Sequence, residues 1–127
     1  MGHRRHYTLD EARAKRDWVA ERVDAARSAL GVLASDEARA ALAALEPDRG
    51  GGWPGRPVAR ATLEIQRAIA DLQAADVVVR DVVRGLVDFP AVRDGEEIYL
   101  CWLVDEPEIQ HWHDLDAGFA GRRPLAH

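Results

Sequence analysis

The residues best suited to chemistry lie in the last third of the chain: Asp88, Cys101, Glu106 and His113. Carboxylate, thiolate and imidazole groups together suit zinc or iron, and a ligand set that leaves coordination positions open suits a catalytic metal. We therefore predict a divalent-metal site built from these four side chains. Two further side chains are its outer members, Asp81 and His111.

Two other interpretations of the same residues stay open, because their spacing matches no standard metal motif. In one, Cys101 is a small buried hydrophobe, Asp88 accepts backbone hydrogen bonds and His113 is an interface or capping residue. In the other, Cys101 is a nucleophile activated by His113. That role needs a lowered thiol pKa, and the surrounding acids oppose it.

A β-hairpin is predicted to bring the acid and the thiol together. Asp94-Gly95 is typical of a two-residue type I′ turn, which sets Arg93 opposite Glu96. The same register sets Asp88 opposite Cys101 in a non-hydrogen-bonded pair, where side chains approach closest. The other face of the hairpin is then apolar throughout: Val87, Phe89, Ala91, Ile98, Leu100, Trp102 and Val104.

The chain on either side of this hairpin is less well determined. A strand is predicted at 77–82, and an equally tight Arg84-Gly85 turn would set Asp81 opposite Asp88, although like charges in a cross-strand pair are unfavourable. In that register Pro90 would have to donate a backbone hydrogen bond to β1, but proline has no N–H. We therefore expect the strand pairing to end early or to contain a bulge.

After the turn at 105–108, residues 109–113 form either a strand or a helix that begins near Pro107. We favour the strand, in which His111 and His113 share a face. The Gly-rich tail, 118–124, is predicted to form no regular element and to wrap back over the sheet.

Two long helices are predicted upstream. Thr8 caps a helix over 9–33, and Glu11 completes a capping box. A short helix opens at Ser35-Asp36-Glu37, a Gly/Pro-rich linker spans 46–57, and another helix runs over about 58–75. We predict one α+β domain over 1–127, in which an antiparallel helical hairpin (8–75) packs on a small antiparallel sheet in the β-rich part (77–124).

The totals limit the function classes. The chain has 127 residues, one cysteine and no apolar run long enough for a membrane span, so we expect a small cytoplasmic protein without disulfides. The formal charge of −5 lies entirely in residues 77–127, which hold 5 basic and 10 acidic residues. Such a surface repels nucleic-acid phosphates and attracts cations, so no nucleic-acid partner is expected.

The chain resembles domain-of-unknown-function family 2203, a family of small bacterial proteins. The likeness is carried by Tyr7-Thr8-Leu9-Asp10-Glu11-Ala12, Gly85-Leu86-Val87-Asp88-Phe89-Pro90, Leu100-Cys101-Trp102, Glu106-Pro107, Trp112-His113 and the tail 118–124. The resemblance implies no activity. It implies that seven residues recur: Asp81, Asp88, Cys101, Glu106, Trp112, His113 and Arg122. His111 is at a variable position, and Asp105 replaces the glycine that the family usually shows, which questions how tight the 105–108 turn is.

The predicted function is binding of a divalent metal or a small ligand in an acidic pocket, where the sheet, the 105–108 turn and the tail converge. Arg122 would anchor an anion or brace a carboxylate, and with Trp112 it forms the predicted cofactor-binding pair. Two alternatives are a metal-dependent enzyme at the same site and a non-catalytic module that dimerises through its sheet edge or helical seam.

Overall fold

The computed structural model describes residues 5–35 and 56–125. Helix α1 spans Leu9–Leu33 and helix α2 spans Arg56–Ala74. The strands that follow are β1 (Val78–Asp81), β2 (Leu86–Arg93), β3 (Glu96–Leu103), β4 (His111–Asp114) and β5 (Arg123–Pro124).

The predicted short helix at 36–45 and most of the linker lie outside the described residues. Arg56 and Pro57, assigned to the linker, instead open α2, where a proline in the first turn loses no hydrogen bond.

Helix α1 begins where its capping box predicts. The Thr8 side chain accepts a hydrogen bond from the Glu11 amide at 3.0 Å, and the Glu11 carboxylate accepts one from the Thr8 amide at 2.9 Å. Two amide donors that the helix itself leaves unpaired are thereby satisfied. The preceding Tyr7 is buried, and its amide donates to the Pro90 carbonyl, so the helix start is tied to β2.

The two helices pack side by side in opposite directions, as predicted. Arg22 of α1 lies 3.5 Å from Asp71 near the end of α2, whereas Val32 near the end of α1 shares a surface groove with Arg56 at the start of α2. Neither described helix combines the length and the apolar character that a membrane crossing requires.

The sheet is an antiparallel meander in the order β1-β2-β3-β4-β5. Its central hairpin has the predicted register, with Arg93 opposite Glu96 and Asp88 opposite Cys101. Asp94 and Gly95 have φ of 53° and 80°, the positive values that a type I′ turn needs. The apolar face is buried against the helices as predicted, with Val87, Phe89 and Trp102 at most 2 % exposed. The α+β fold class is confirmed.

The register predicted between β1 and β2 is wrong. Val78, not Asp81, lies opposite Asp88, and the pairing shifts between Val79 and Asp81 as a bulge. The chain turns through four residues, 82–85, rather than through a two-residue turn. The Asp81 carboxylate instead accepts a hydrogen bond from the Arg84 amide within that turn. The like-charge pair is avoided in this way, and Pro90 lies beyond the end of β1.

The C-terminal part corrects one expectation and confirms another. Residues 111–114 form a strand, β4, so the strand interpretation of this segment is confirmed. The tail wraps back over the sheet, but it is not irregular throughout: Phe119–Gly121 forms a 3-10 turn and β5 pairs with β4. The pairing of Trp112 with Arg123 adds this fifth strand, which glycine content alone argued against.

Gly85 and Gly95 offer a matched test of the two turns. Both have positive φ, but a Cβ at Gly85 would lie 2.0 Å from Arg27 and 2.5 Å from Val104, whereas nothing lies within 4 Å at Gly95. Gly95→Ala should therefore cost only the backbone strain, about 1–2 kcal/mol, and Gly85→Ala clearly more. Denaturant unfolding of both variants measures the difference. Equal losses would contradict the close packing at Gly85.

Candidate metal centre

Strand alternation places three of the predicted ligands on one face of the sheet. Asp88 and Cys101 are opposite each other on β2 and β3, and His113 projects from the next strand, opposite Tyr99. The His113 Nε2 atom lies 3.1 Å from both carboxylate oxygens of Asp88. One donor atom from each of the three side chains lies within 4.8 Å of the other two. The structure thus brings an acid, a thiol and an imidazole into one cluster.

The three side chains are removed from solvent: Asp88 is 1 % exposed, Cys101 0 % and His113 3 %. Burial of a carboxylate is unfavourable unless charged or hydrogen-bonding partners surround it. Tetrahedral zinc with bonds of about 2.0–2.3 Å separates its ligand atoms by roughly 3.3–3.8 Å. The cluster therefore needs only small side-chain movements to match that geometry.

The orientation of His113 is the most informative feature of the cluster. Its Nδ1 atom lies 2.7 Å from the backbone carbonyl of Asp114. A carbonyl can only accept, so Nδ1 carries a proton, and Nε2 faces Asp88. Nε2 then either carries a second proton, as an imidazolium, or directs a lone pair at an anion. A ring held by Nδ1–H on a carbonyl, with Nε2 free to bind, is the arrangement in which histidine ligates a metal.

The thiol of Cys101 is protonated at neutral pH. Burial, first of all, and then the charge of Asp88 and a hydrogen bond to it raise the pKa of Cys101 to about 12, although Arg122 acts in the opposite direction. A thiol with such a pKa is a poor nucleophile, so this buried, acidic environment does not favour a nucleophilic Cys101. A metal cation supplies the positive charge that a buried thiolate needs.

Arg80 completes the surroundings of Asp88, and sequence reasoning missed it. Its Nε atom donates to Asp88 Oδ2 at 2.8 Å, and its guanidinium stacks 4.9 Å above the centre of the Tyr99 ring. Burial works against the charged form, but the hydrogen bond and the charge of Asp88 raise the pKa of Arg80. Arg80 lies in the bulge of β1. The only feature of the sequence that could have pointed to Arg80 was the expected break in the pairing of β1 with β2.

A cavity of about 250 Å³ opens onto the cluster. The metal-site cavity, as we call it, is bounded by the three clustered side chains, by Arg80 and Leu86, and by the segment that follows β4. That segment contributes Leu115, Asp116, Ala117, Gly118 and Phe119. The pocket was predicted where the sheet, the 105–108 turn and the tail converge. The sheet and the first tail residues line this cavity, but residues 115–117 line it in place of the 105–108 turn.

Glu106, the fourth predicted ligand, lies in a neighbouring group. One carboxylate oxygen accepts a hydrogen bond from the Leu103 amide at 2.9 Å, and the other accepts one from Arg122 at 2.6 Å. Arg122 also contacts His111 Nδ1 and stacks on the Phe119 ring, with 4.7 Å to its centre. Arg122 therefore braces a carboxylate, as anticipated. This group, Glu106, Arg122 and His111, adjoins the cluster of Asp88, Cys101 and His113, since His111 lies opposite Cys101 in the sheet and the charges of Arg122 and Glu106 act on the Cys101 thiol.

The two remaining predicted residues lie apart from the cluster. Trp112 points to the opposite face of the sheet, where it packs against the core between the guanidinium groups of Arg93 and Arg123, at 4.7 and 5.2 Å. Asp81, an outer member of the predicted site, is held in the turn by the Arg84 amide. In the structure, Trp112 does not border the metal-site cavity.

Burial and the raised pKa predict a protected thiol. At pH 8, a pKa of about 12 leaves roughly one thiolate in ten thousand. Alkylation of Cys101 by iodoacetamide should therefore be at least about a thousandfold slower in the folded protein than in denaturant. The rate in the folded protein should rise with pH through pH 9–11, since deprotonation becomes less rare. Fast labelling of the folded protein at pH 8 would contradict this environment.

Comparison with known proteins places the chain in a family. No match was found among curated proteins, and none among solved structures. A family model described as "Uncharacterized conserved protein (DUF2203)" matches residues 5–125, nearly the whole chain. The predicted resemblance is confirmed, and the chain belongs to the DUF2203 family of uncharacterized conserved proteins.

Proposed function

We propose that the protein binds one divalent metal ion, zinc or iron, through Asp88 Oδ, Cys101 Sγ and His113 Nε2. The observation that carries the proposal is the orientation of His113. Its Nδ1–H is engaged by the Asp114 carbonyl, and its Nε2 lies 3.1 Å from both oxygens of a buried carboxylate. A cation between these atoms satisfies the imidazole lone pair, the carboxylate and the thiolate at once.

The donor set favours zinc over other common cations. Thiolate, imidazole and carboxylate are all ligands of tetrahedral zinc, whereas magnesium and calcium prefer oxygen alone. Two anionic ligands neutralise the 2+ charge of the ion, so the loaded cluster carries no net charge in its buried setting. Iron remains the second metal, because it accepts the same three donor types.

Metal-dependent catalysis at the same site is the second candidate function, and the metal-site cavity favours it. Three protein ligands leave one tetrahedral position for water or a substrate, which is the pattern of catalytic rather than structural zinc. The cavity beside the cluster has a volume of about 250 Å³, so a substrate can reach the open coordination position. A structural metal is normally closed off by a fourth protein ligand.

Metal analysis with matched variants tests the proposal. The purified protein should bind one zinc or cobalt ion per chain. Asp88→Ala, Cys101→Ala and His113→Ala should each weaken binding by more than the roughly 10–100-fold that loss of an outer partner costs. Glu106→Gln and His111→Ala are the controls and should keep one ion per chain, since these residues belong to the neighbouring group.

Stoichiometry by mass spectrometry and affinity by competition with a chelator measure these outcomes. If the wild type binds no metal, and the three ligand variants only lower the free energy of unfolding, then the cluster is a structural network. Equal losses in the ligand and the control variants would also count against the assignment.

The protonated thiol predicts a pH-dependent affinity. Binding must displace the proton of Cys101, whose pKa of about 12 lies above the whole working range. The apparent association constant should therefore rise by at least about tenfold for each pH unit between pH 6 and 8, since at least one proton leaves. Calorimetry in buffers of different ionisation enthalpy counts the released protons. An affinity independent of pH would exclude the thiolate as a ligand.

A further inference from the structure

We infer that the metal-site cavity binds a small carboxylate, whose carboxylate group contacts both the metal ion and Arg80 and whose short apolar body lies along the cavity wall. This inference rests on the proposed metal site. It adds the chemical class of the molecule that takes the open coordination position.

The charges around the cavity favour an anion beside the metal and Arg80. Asp88 and a thiolate at Cys101 carry two negative charges, which balance the 2+ charge of the ion. Once the metal is bound, the charge of Asp88 therefore no longer balances the positive charge of Arg80. Arg80 is the only arginine or lysine among the described residues that line the cavity. Its planar guanidinium matches a carboxylate better than it matches a neutral group.

The position of Arg80 suits it to hold a ligand. Its side chain is 42 % exposed, and the stacking on Tyr99, 4.9 Å to the ring centre, holds the guanidinium beside the cluster. The hydrogen bond from Nε to Asp88 places its charge next to the proposed metal. An incoming carboxylate therefore meets two positive groups, the metal and Arg80, at the same end of the cavity.

An exposed carboxylate in the cavity wall constrains how the ligand is oriented. Asp116 lines the cavity, is exposed, and belongs also to an acidic depression formed with Glu96, Glu97 and Asp114. These carboxylates attract the metal cation during entry and repel an anion that lies next to them. The carboxylate of the ligand must therefore face the metal and Arg80 rather than Asp116.

The rest of the cavity wall is mainly apolar, and the cavity volume limits the size of the ligand. Leu86, Leu115, Ala117 and Phe119 line it. The cavity volume of about 250 Å³ equals the volume that roughly eight water molecules occupy in liquid water. A carboxylate with a short hydrocarbon chain fits this space and covers the apolar side chains. Inorganic phosphate brings more charge than one arginine matches and leaves that wall uncovered.

Butyrate and its neutral analogue butyramide provide the test, with the cobalt-loaded protein as the reporter. Cobalt absorption changes when an outside ligand enters the coordination sphere. Butyrate should bind about 10–100-fold more tightly than butyramide, because one charge-assisted hydrogen bond and the metal contact depend on the negative charge. The Arg80→Gln variant should bind butyrate about tenfold more weakly than the wild type. The control Arg84→Gln should not, since Arg84 stacks on Phe119 but does not line the cavity.

The outcomes separate this inference from the metal site itself. If cobalt binds through the three ligands but butyrate and butyramide bind equally, or neither binds, the carboxylate assignment is overturned and the metal site stands. Tighter binding of inorganic phosphate than of butyrate also overturns it. If no cobalt binds, both proposals fail. Should Arg80→Gln lose cobalt, the comparison of butyrate with butyramide in the wild type decides alone.

Discussion

The structure depends most on the pairing of β2 with β3, which the Asp94-Gly95 turn sets. Both turn residues have positive φ, and the two-residue loop leaves one register. Because side chains alternate along a strand, a slip of one residue would move Phe89 and Trp102 to the outer face and Asp88 and Cys101 into the core. The same constraint therefore builds the packed face and the candidate metal centre on opposite sides of two strands.

The buried carboxylate of Asp88 is the main electrostatic consequence of that register. It is 1 % exposed, so it is tolerated only because Arg80, His113 and the Cys101 thiol surround it. A purely structural network accounts for this burial, as does a metal centre. The two differ in the state of His113, whose Nδ1–H is engaged by a carbonyl and whose Nε2 faces the carboxylate. In a structural network Nε2 donates a second proton to Asp88, whereas in a metal centre its lone pair binds the ion.

Five of the seven residues that the family resemblance singled out fall into two groups with different tasks. Asp88, Cys101 and His113 form the cluster. Glu106 and Arg122 hold the turn after β3 and attach the tail to it, and the Glu106 carbonyl also accepts the indole N–H of Trp102 at 3.0 Å. The resemblance implied a glycine where Asp105 stands, yet among the described residues only Asp76 and Asp94 have positive φ without being glycine. The turn thus keeps its hydrogen bonds without a left-handed residue at Asp105.

Local sequence patterns were enough to predict the capping box at Thr8, the two long helices, the hairpin register and the pairing of Asp88 with Cys101. Each follows from backbone rules that act over a few residues. The other features depend on packing between segments that are distant in the chain. Like-charge repulsion and the missing Pro90 N–H indicated a break in β1, but only packing showed that the bulge delivers Arg80 to Asp88. His113 and Glu106 were equally good ligands by type. His113 contacts Asp88 and Glu106 contacts Arg122 because of where β4 and the tail pair across the sheet, and contacts between distant segments are not encoded in local spacing.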